Sequence, residues 1–325
     1  MILEQTEQTG TETKKRTRPN LVQTETVVES FRIDVEDDQF LTVWKTPRNE
    51  SAPERDSVIL LAPGFGSRMD RQAGLALYLA HNGFDVYRYD PLNHVGLSSG
   101  EIEQHTMSLA MQSLELATDW LRGHERDQRV GLIANSLSAR VAYQCIARLN
   151  VDYLVTTIGV VNLRDTLARA LGDDYTVYDV DALPPTLLFE KHDIESYAFA
   201  KDGHDNDWFP LDATCRLVSE SRVPLLAFSV EQDDWIKQDE VKRMLEHYTN
   251  APRALFSLQG SSHDLNNHLV ALRRLCQKVT LAAIGMDADS QAVQLGTELD
   301  EPSFEDITVR AVQERRTYQK AKKGK

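Results

Sequence analysis

Cysteine is scarce in this chain of 325 residues: Cys145, Cys215 and Cys276 stand far apart, and three is an odd number. No disulfide framework and no zinc-binding spacing can be built from them. No apolar run approaches the roughly 18 residues that would suggest a membrane span. The amino-terminal twenty residues, MILEQTEQTGTETKKRTRPN, are polar throughout and lack the apolar heart of a secretory signal. Positive charge is in deficit, with 36 Lys and Arg against 50 Asp and Glu and a net charge of −14. That disfavours a general nucleic-acid binder, whose affinity rests on neutralising phosphates. These absences leave a reduced, cytoplasmic protein without a metal or cofactor as the expectation.

What is present is ordinary for a globular chain, 41% hydrophobic and 26% charged. Basic residues gather at the two ends, at Lys14, Lys15, Arg16 and Arg18 and again at Arg315, Arg316, Lys320, Lys322, Lys323 and Lys325. They read as solvated tails, with interaction arms as the alternative. Residues 1–24 read as a flexible leader. Two strand-like stretches, Thr26–Val35 and Phe40–Lys45, flank a turn at Glu36-Asp37-Asp38-Gln39. From Ser57 the pattern alternates: apolar runs at Ser57–Ala62, Phe84–Tyr89, Arg129–Ala134 and Tyr153–Val161, with helical patterns at Ala73–His81, His105–Arg122 and Leu137–Leu149 between them. Continuous apolar strands separated by helices predict a mostly parallel, doubly wound α/β sheet covered on both faces. The rhythm breaks over residues 163–220, a polar stretch with short amphipathic pieces at Leu163–Leu171 and Ile194–Ala200, read as an inserted helical cap. It resumes with Pro224–Val230, Asp239–Tyr248, Arg253–Leu258 and Leu265–Ile284. The core is therefore expected over 25–162 and 221–285. A linker and a last helix, Phe304 to about Lys320, with a basic tail are expected within 286–325.

The segment Gly131-Leu132-Ile133-Ala134-Asn135-Ser136-Leu137-Ser138 sets a serine between an apolar strand and a helix, with small residues two before and two after. That is the pattern of a nucleophile elbow, a turn too sharp for bulky flanks. A helix-capping serine would look the same. Two later features bear on the choice. Strand Pro224–Val230 runs into Asp233-Asp234, and strand Arg253–Leu258 is followed by His263, so a carboxylate and an imidazole reach the carboxyl edge of the sheet where open α/β sheets bind ligands. The order Ser136, Asp233, His263 is that of the α/β-hydrolases. His263 would take the Ser136 proton and Asp233, chosen over Asp234, would fix the imidazole tautomer. The backbone N–H groups of Leu137 and of Phe65, in the loop Pro63-Gly64-Phe65-Gly66, are the expected oxyanion donors. His94 reads as a structural or supporting histidine, and Ser138 as a packing or hydrogen-bonding residue.

These residues resemble a particular family, the acyl transferases of bacterial luminescence, also called myristoyl-acyl-carrier-protein thioesterases. The likeness rests on ordered blocks: Arg68-Met69-Asp70; Asn82-Gly83-Phe84; His94-Val95-Gly96-Leu97-Ser98-Ser99-Gly100; Ser136-Leu137-Ser138-Ala139-Arg140; Gly159-Val160-Val161-Asn162-Leu163-Arg164-Asp165; Asp233-Asp234-Trp235; and Gly260-Ser261-Ser262-His263. They extend over about residues 29–318, and the Ala-x-Ser-x-Ser elbow is the family's variant. The resemblance implies the same triad. It also implies a fourteen-carbon acyl group delivered by acyl carrier protein, passed to the serine and then to water or another acceptor, with fatty acid reductase components as possible acceptors in making luminescence aldehyde. The leader is longer than the family's usual start and the carboxyl terminus more basic. A long acyl chain needs apolar cover, and Leu167, Leu171, Leu187, Leu188, Phe189, Phe199 and Trp208 within the cap are its candidate lining; packing of the cap onto the sheet is the alternative. A general esterase or lipase, and a non-catalytic binding protein on the same fold, are the competing functions.

Overall fold

A computed structural model of the chain describes residues 27–36, 38–247, 251–258, 263 and 269–324. The leader over 1–24, Asp37 in the expected turn and the first turn of the helix expected from Leu265 lie outside them. Among the described residues the strands are β1 (Glu29–Asp34), β2 (Phe40–Thr46), β3 (Ser57–Ala62), β4 (Val86–Asp90), β5 (Arg129–Asn135), β6 (Tyr153–Thr157), β7 (Thr186–Phe189), β8 (His192–Glu195), β9 (Leu225–Val230) and β10 (Arg253–Leu258). The α-helices among them are α1 (Ala73–His81), α2 (Met107–His124), α3 (Leu137–Cys145), α4 (Leu163–Leu171), α5 (Ser196–Asp205), α6 (Leu211–Glu220), α7 (Gln238–Glu246), α8 (Leu269–Ala288) and α9 (Phe304–Lys323). No described helix is long and apolar enough to cross a membrane.

Eight strands form one sheet in the order β1-β2-β4-β3-β5-β6-β9-β10. β2 runs against both of its neighbours, β1 and β4, and the other pairs are parallel. The chain thus forms the mostly parallel sheet that the alternating apolar runs predict, in the α/β-hydrolase fold expected from the order of Ser136, Asp233 and His263. Pleating divides β3 between two cores: Val58, Leu60 and Ala62 join one cluster with residues of α2 and α3, while Ile59 and Leu61 join another with residues of α1 and α8. Burial on both faces is why such strands read as unbroken apolar runs rather than as alternation. Helix starts follow local chemistry. Thr106 accepts a hydrogen bond from Leu109 N–H at the start of α2, and Ser303 and Asp306 form a capping box at the start of α9.

The segment between β6 and β9 contains α4, α5 and α6, as its amphipathic pieces suggest, but also an antiparallel hairpin of β7 and β8. The amphipathic piece expected over Ile194–Ala200 is therefore strand through Glu195 and helix only from Ser196. The hairpin turns on Glu190 and Lys191, both at positive φ (50° and 70°). Turns of that hand favour Asn and Gly, so a Glu-Lys pair carries no sequence signal. The hairpin also corrects one lining candidate. Alternate residues of a strand face opposite sides, and Leu188 points outward, 65% exposed, whereas Leu187 and Phe189 are buried.

The last helix is no solvated appendage. Glu314 of α9 is fully buried and holds Arg88 of β4 through both carboxylate oxygens, at 2.6 and 3.1 Å. The same guanidinium donates to Thr46 Oγ1 at 2.6 Å and to the Met69 carbonyl at 3.0 Å. Tyr318, buried one turn on, packs edge-on against Trp44 and lies beneath the Arg68 guanidinium. Removing one partner of a buried pair strands the other charge, a loss of about 3–5 kcal/mol. Glu314→Ala should lower unfolding free energy by that amount in a denaturant titration; a change under about 1 kcal/mol would show that Arg88 finds other compensation.

Candidate active site

β5 ends at Asn135 and α3 begins at Leu137, so the chain turns from strand to helix within one residue, Ser136. That residue has φ 51° and ψ −117°, a conformation that costs a non-glycine residue about 1–3 kcal/mol. Neighbouring backbone sustains it. Ser136 N–H donates to the Thr157 carbonyl at 3.0 Å, and its own carbonyl accepts from Val160 N–H at 3.1 Å. Although Ser136 occupies the capping position of α3, its side chain makes no capping hydrogen bond. Its hydroxyl instead faces His263 Nε2 at 3.1 Å.

The turn after β9 presents Asp233. Its Oδ1 accepts from the backbone N–H groups of Trp235 and Ile236, both at 2.9 Å, which aims the carboxylate before any partner arrives. The His263 Nδ1 lies 3.1 and 3.0 Å from the two carboxylate oxygens. A carboxylate can only accept here, so Nδ1 carries the proton and Nε2 turns its lone pair to the Ser136 hydroxyl. The Asp233 side chain is 4% exposed and that of His263 13%, so the relay is shielded from water at one end and approachable at the other. Asp234, the next residue, is exposed and does not share in this arrangement.

Facing the serine is the loop of Pro63, Gly64, Phe65 and Gly66 that follows β3. A Cβ at Gly64 would come within 2.9 Å of the Asn135 side-chain Nδ2 and 3.5 Å of Ser136 Cβ, so the loop lies close against the serine turn. Ser138 Oγ donates to the Pro63 carbonyl, tying the loop to the first turn of α3. Leu137 opens α3 directly after Ser136, and Phe65 follows Gly64 in the facing loop. Loop 91–100 packs behind. There, burial pushes the Asp90 carboxyl up to about 7, opposed by N–H bonds from Met69 and Leu97.

Two aromatic rings stand beside these groups. Trp235 stacks on the His263 ring at 4.6 Å between centroids and 30° between planes. Phe189, at the end of β7, sits 5.0 Å from the Phe65 ring and 5.8 Å from Trp235, bridging the loop to the acid turn over the catalytic edge. Phe189 is among the lining residues expected from the sequence, and its bridging place follows from the hairpin. Among the other lining candidates, Leu167 and Phe199 are buried in the cluster that underlies the sheet, and Leu171 packs partly buried at its margin. Trp208 is fully buried, with Arg140 over its ring and its indole N–H on Ser108 Oγ at 3.3 Å, so it fastens the segment to α2 and α3. Leu187 is buried in the hairpin. Among the described residues no cluster of His, Cys, Asp and Glu could hold a metal ion.

An Asp→Asn change in such a relay reverses the tautomer and lowers turnover about 10⁴-fold with geometry intact. Asp233→Asn should show that loss in steady-state ester hydrolysis, while Asp234→Asn stays close to wild type; equal losses would contradict the geometry described here.

A family model described as Acyl transferase matches residues 27–323. The chain is 48% identical to an acyl transferase of Vibrio campbellii over 284 residues, 87% of this chain and 92% of that one. It is 46% identical to one of Photorhabdus luminescens, again over 87% of this chain and 92% of the relative. Among solved structures, Est1E from Butyrivibrio proteoclasticus with bound ferulic acid superposes with a TM-score of 0.64 at 16% identity, covering 78% of this chain and 99% of that one. The Pyrococcus furiosus esterase Pf2001 gives 0.57 at 18%, over 82% and 91%. At such identities the structures speak for the fold. The family match spans nearly the whole described chain, and the protein belongs to the acyl transferases, enzymes here built on an α/β-hydrolase fold.

Proposed function

We propose that the protein accepts a long-chain acyl group, about fourteen carbons, from an acyl carrier protein thioester onto Ser136 and passes it to water or another acceptor. The observation that carries this reading is the Ser136 hydroxyl, held on a strained turn and aimed at a histidine that a buried carboxylate orients. In the reaction, His263 Nε2 takes the hydroxyl proton as Oγ attacks the thioester carbonyl. The N–H groups of Leu137 and Phe65 receive the developing oxyanion, each worth about 3–4 kcal/mol in the transition state. The tetrahedral adduct collapses with release of the thiol, which takes the proton from His263, and leaves acyl-Ser136. Water or another acceptor then repeats the sequence in reverse roles. Asp233 stabilises the imidazolium throughout and is not itself protonated.

The acyl length and the carrier rest on the family resemblance, as does the further expectation that the product supplies fatty acid reductase components making luminescence aldehyde in the cytoplasm. A fourteen-carbon tail leaving water gains about 0.8 kcal/mol per methylene, on the order of 10 kcal/mol before the costs of binding. In this reading the chain passes beneath Phe189, which already touches Phe65 and Trp235, and runs along the β6–β9 segment beside Leu187 and toward Leu167, Leu171 and Phe199. Trp208 serves packing.

Intact-mass measurement after treatment with a fluorophosphonate tests the nucleophile: one adduct on the wild type and none on Ser136→Ala are expected, and labelling of the Ala variant would remove Ser136 from its role. For the substrate, rates of acyl release from acyl carrier protein thioesters of graded length should peak near fourteen carbons. A preference for short oxyesters would make the enzyme a general esterase instead. Phe189→Ala should shift the length preference, whereas parallel loss on long and short substrates would give Phe189 a purely structural part.

A further inference from the structure

The loop that bears Phe65 is tied down at three points, and the middle tie is an imidazole. Pro63 O accepts from Ser138 Oγ, Gly66 N–H donates to His94 Nε2 at 3.0 Å, and Met69 N–H donates to Asp90 Oδ1 at 2.8 Å. Phe65 lies between the first two. Its own N–H belongs to the peptide before its Cα, and Gly66 N–H belongs to the peptide after, so a fixed Gly66 peptide removes one of the two rotations that would swing the Phe65 donor. His94 comes from a different loop, which is itself anchored: Asp90 Oδ2 accepts from Leu97 N–H at 2.8 Å, Leu92 N–H donates to Ser113 Oγ at 2.9 Å and Ser99 N–H to the Phe40 carbonyl at 3.0 Å. The ring is 6% exposed and meets the Phe65 ring edge-on at 5.5 Å. On the other side, Gly66 at φ +66° leaves only 3.2 Å between the site of a would-be Cβ and the His192 ring, so the loop is confined from both directions.

The geometry points to His94 as a positioning residue for acylation: as a neutral acceptor on Gly66 N–H, it fixes the direction in which Phe65 N–H meets the oxyanion. The inference rests on the Ser136 acylation proposed above and adds a residue that touches neither substrate nor serine. The choice of imidazole has a chemical reason. A carboxylate would accept the same bond but set a negative charge beside a developing oxyanion, and an imidazolium could not accept it. Burial, with the neighbouring His105 imidazole adding to it, holds His94 down to about 3, so the acceptor form persists through the ordinary pH range.

The test uses the full chain, a p-nitrophenyl ester and the pre-steady-state burst of p-nitrophenolate. His94→Leu should slow the burst about 100-fold, the scale of a misplaced reacting group, with half-saturation within about twofold of wild type. His94→Gln, whose amide oxygen reaches the place of Nε2, should recover most of the rate; His94→Asn, one bond shorter, should not. Inhibition by a trifluoromethyl ketone, which binds as an oxyanion adduct, should weaken in step with the burst rate. Should the Leu variant fail to fold, the contrast between Gln and Asn decides alone. Equal rates for Gln and Asn, or a Leu variant as fast as wild type, would overturn the role of His94 while leaving Ser136 acylation standing. A wild type with no burst and no label on Ser136 would overturn both.

Discussion

A single residue at positive φ organises the carboxyl edge of this sheet. Ser136 cannot relax into the helix that follows it, because Thr157 and Val160 hold its peptide groups from the neighbouring strand and its exit. That hold works only while β5 and β6 keep their register, Ala134 opposite Thr156 and Asn135 opposite Thr157. The register in turn depends on apolar residues filling both faces of the sheet, since a slip by one would exchange the two cores. Strain at the serine is therefore supported by packing spread over the whole domain, and the hydroxyl gains its approach to His263 as the result.

Asp233 and His263 follow β9 and β10, which are adjacent in the sheet, and β6 stands between β9 and the strand bearing the serine. Two strand spacings, about 10 Å, separate β5 from β9, and His263 spans the gap with Trp235 stacked against it. Asp233 is aimed by its own turn rather than by the imidazole, so the direction of the relay is set before the three groups meet.

How much of this was legible follows from what each feature depends on. Strands buried on both faces announce themselves as apolar runs, and α1 could be bounded at Ala73 and His81 because Asn82-Gly83 stops it. That Ser136, Asp233 and His263 come together could be read because their order along the chain and their place after strands are one-dimensional facts. The hairpin of β7 and β8 could not be read: its turn uses Glu190 and Lys191 where the rule looks for Asn and Gly, and neighbouring structure holds them there. With it were lost the outward aim of Leu188 and the bridging place of Phe189. The basic run near the carboxyl end suggested a solvated tail, yet the residue that matters there is an acid, Glu314, and its partner is 226 residues away.

That separation has a bearing on how the molecule comes into being. On the ribosome Arg88 emerges long before Glu314, and until α9 arrives a guanidinium destined for complete burial has only Thr46 Oγ1 and the Met69 carbonyl to turn to. The pair that ties β4 to α9 is therefore completed only after α9 has been made. His263 follows Ser136 by 127 residues, so the relay closes late as well. The nascent chain thus carries Ser136 without its partner imidazole for 127 residues of synthesis.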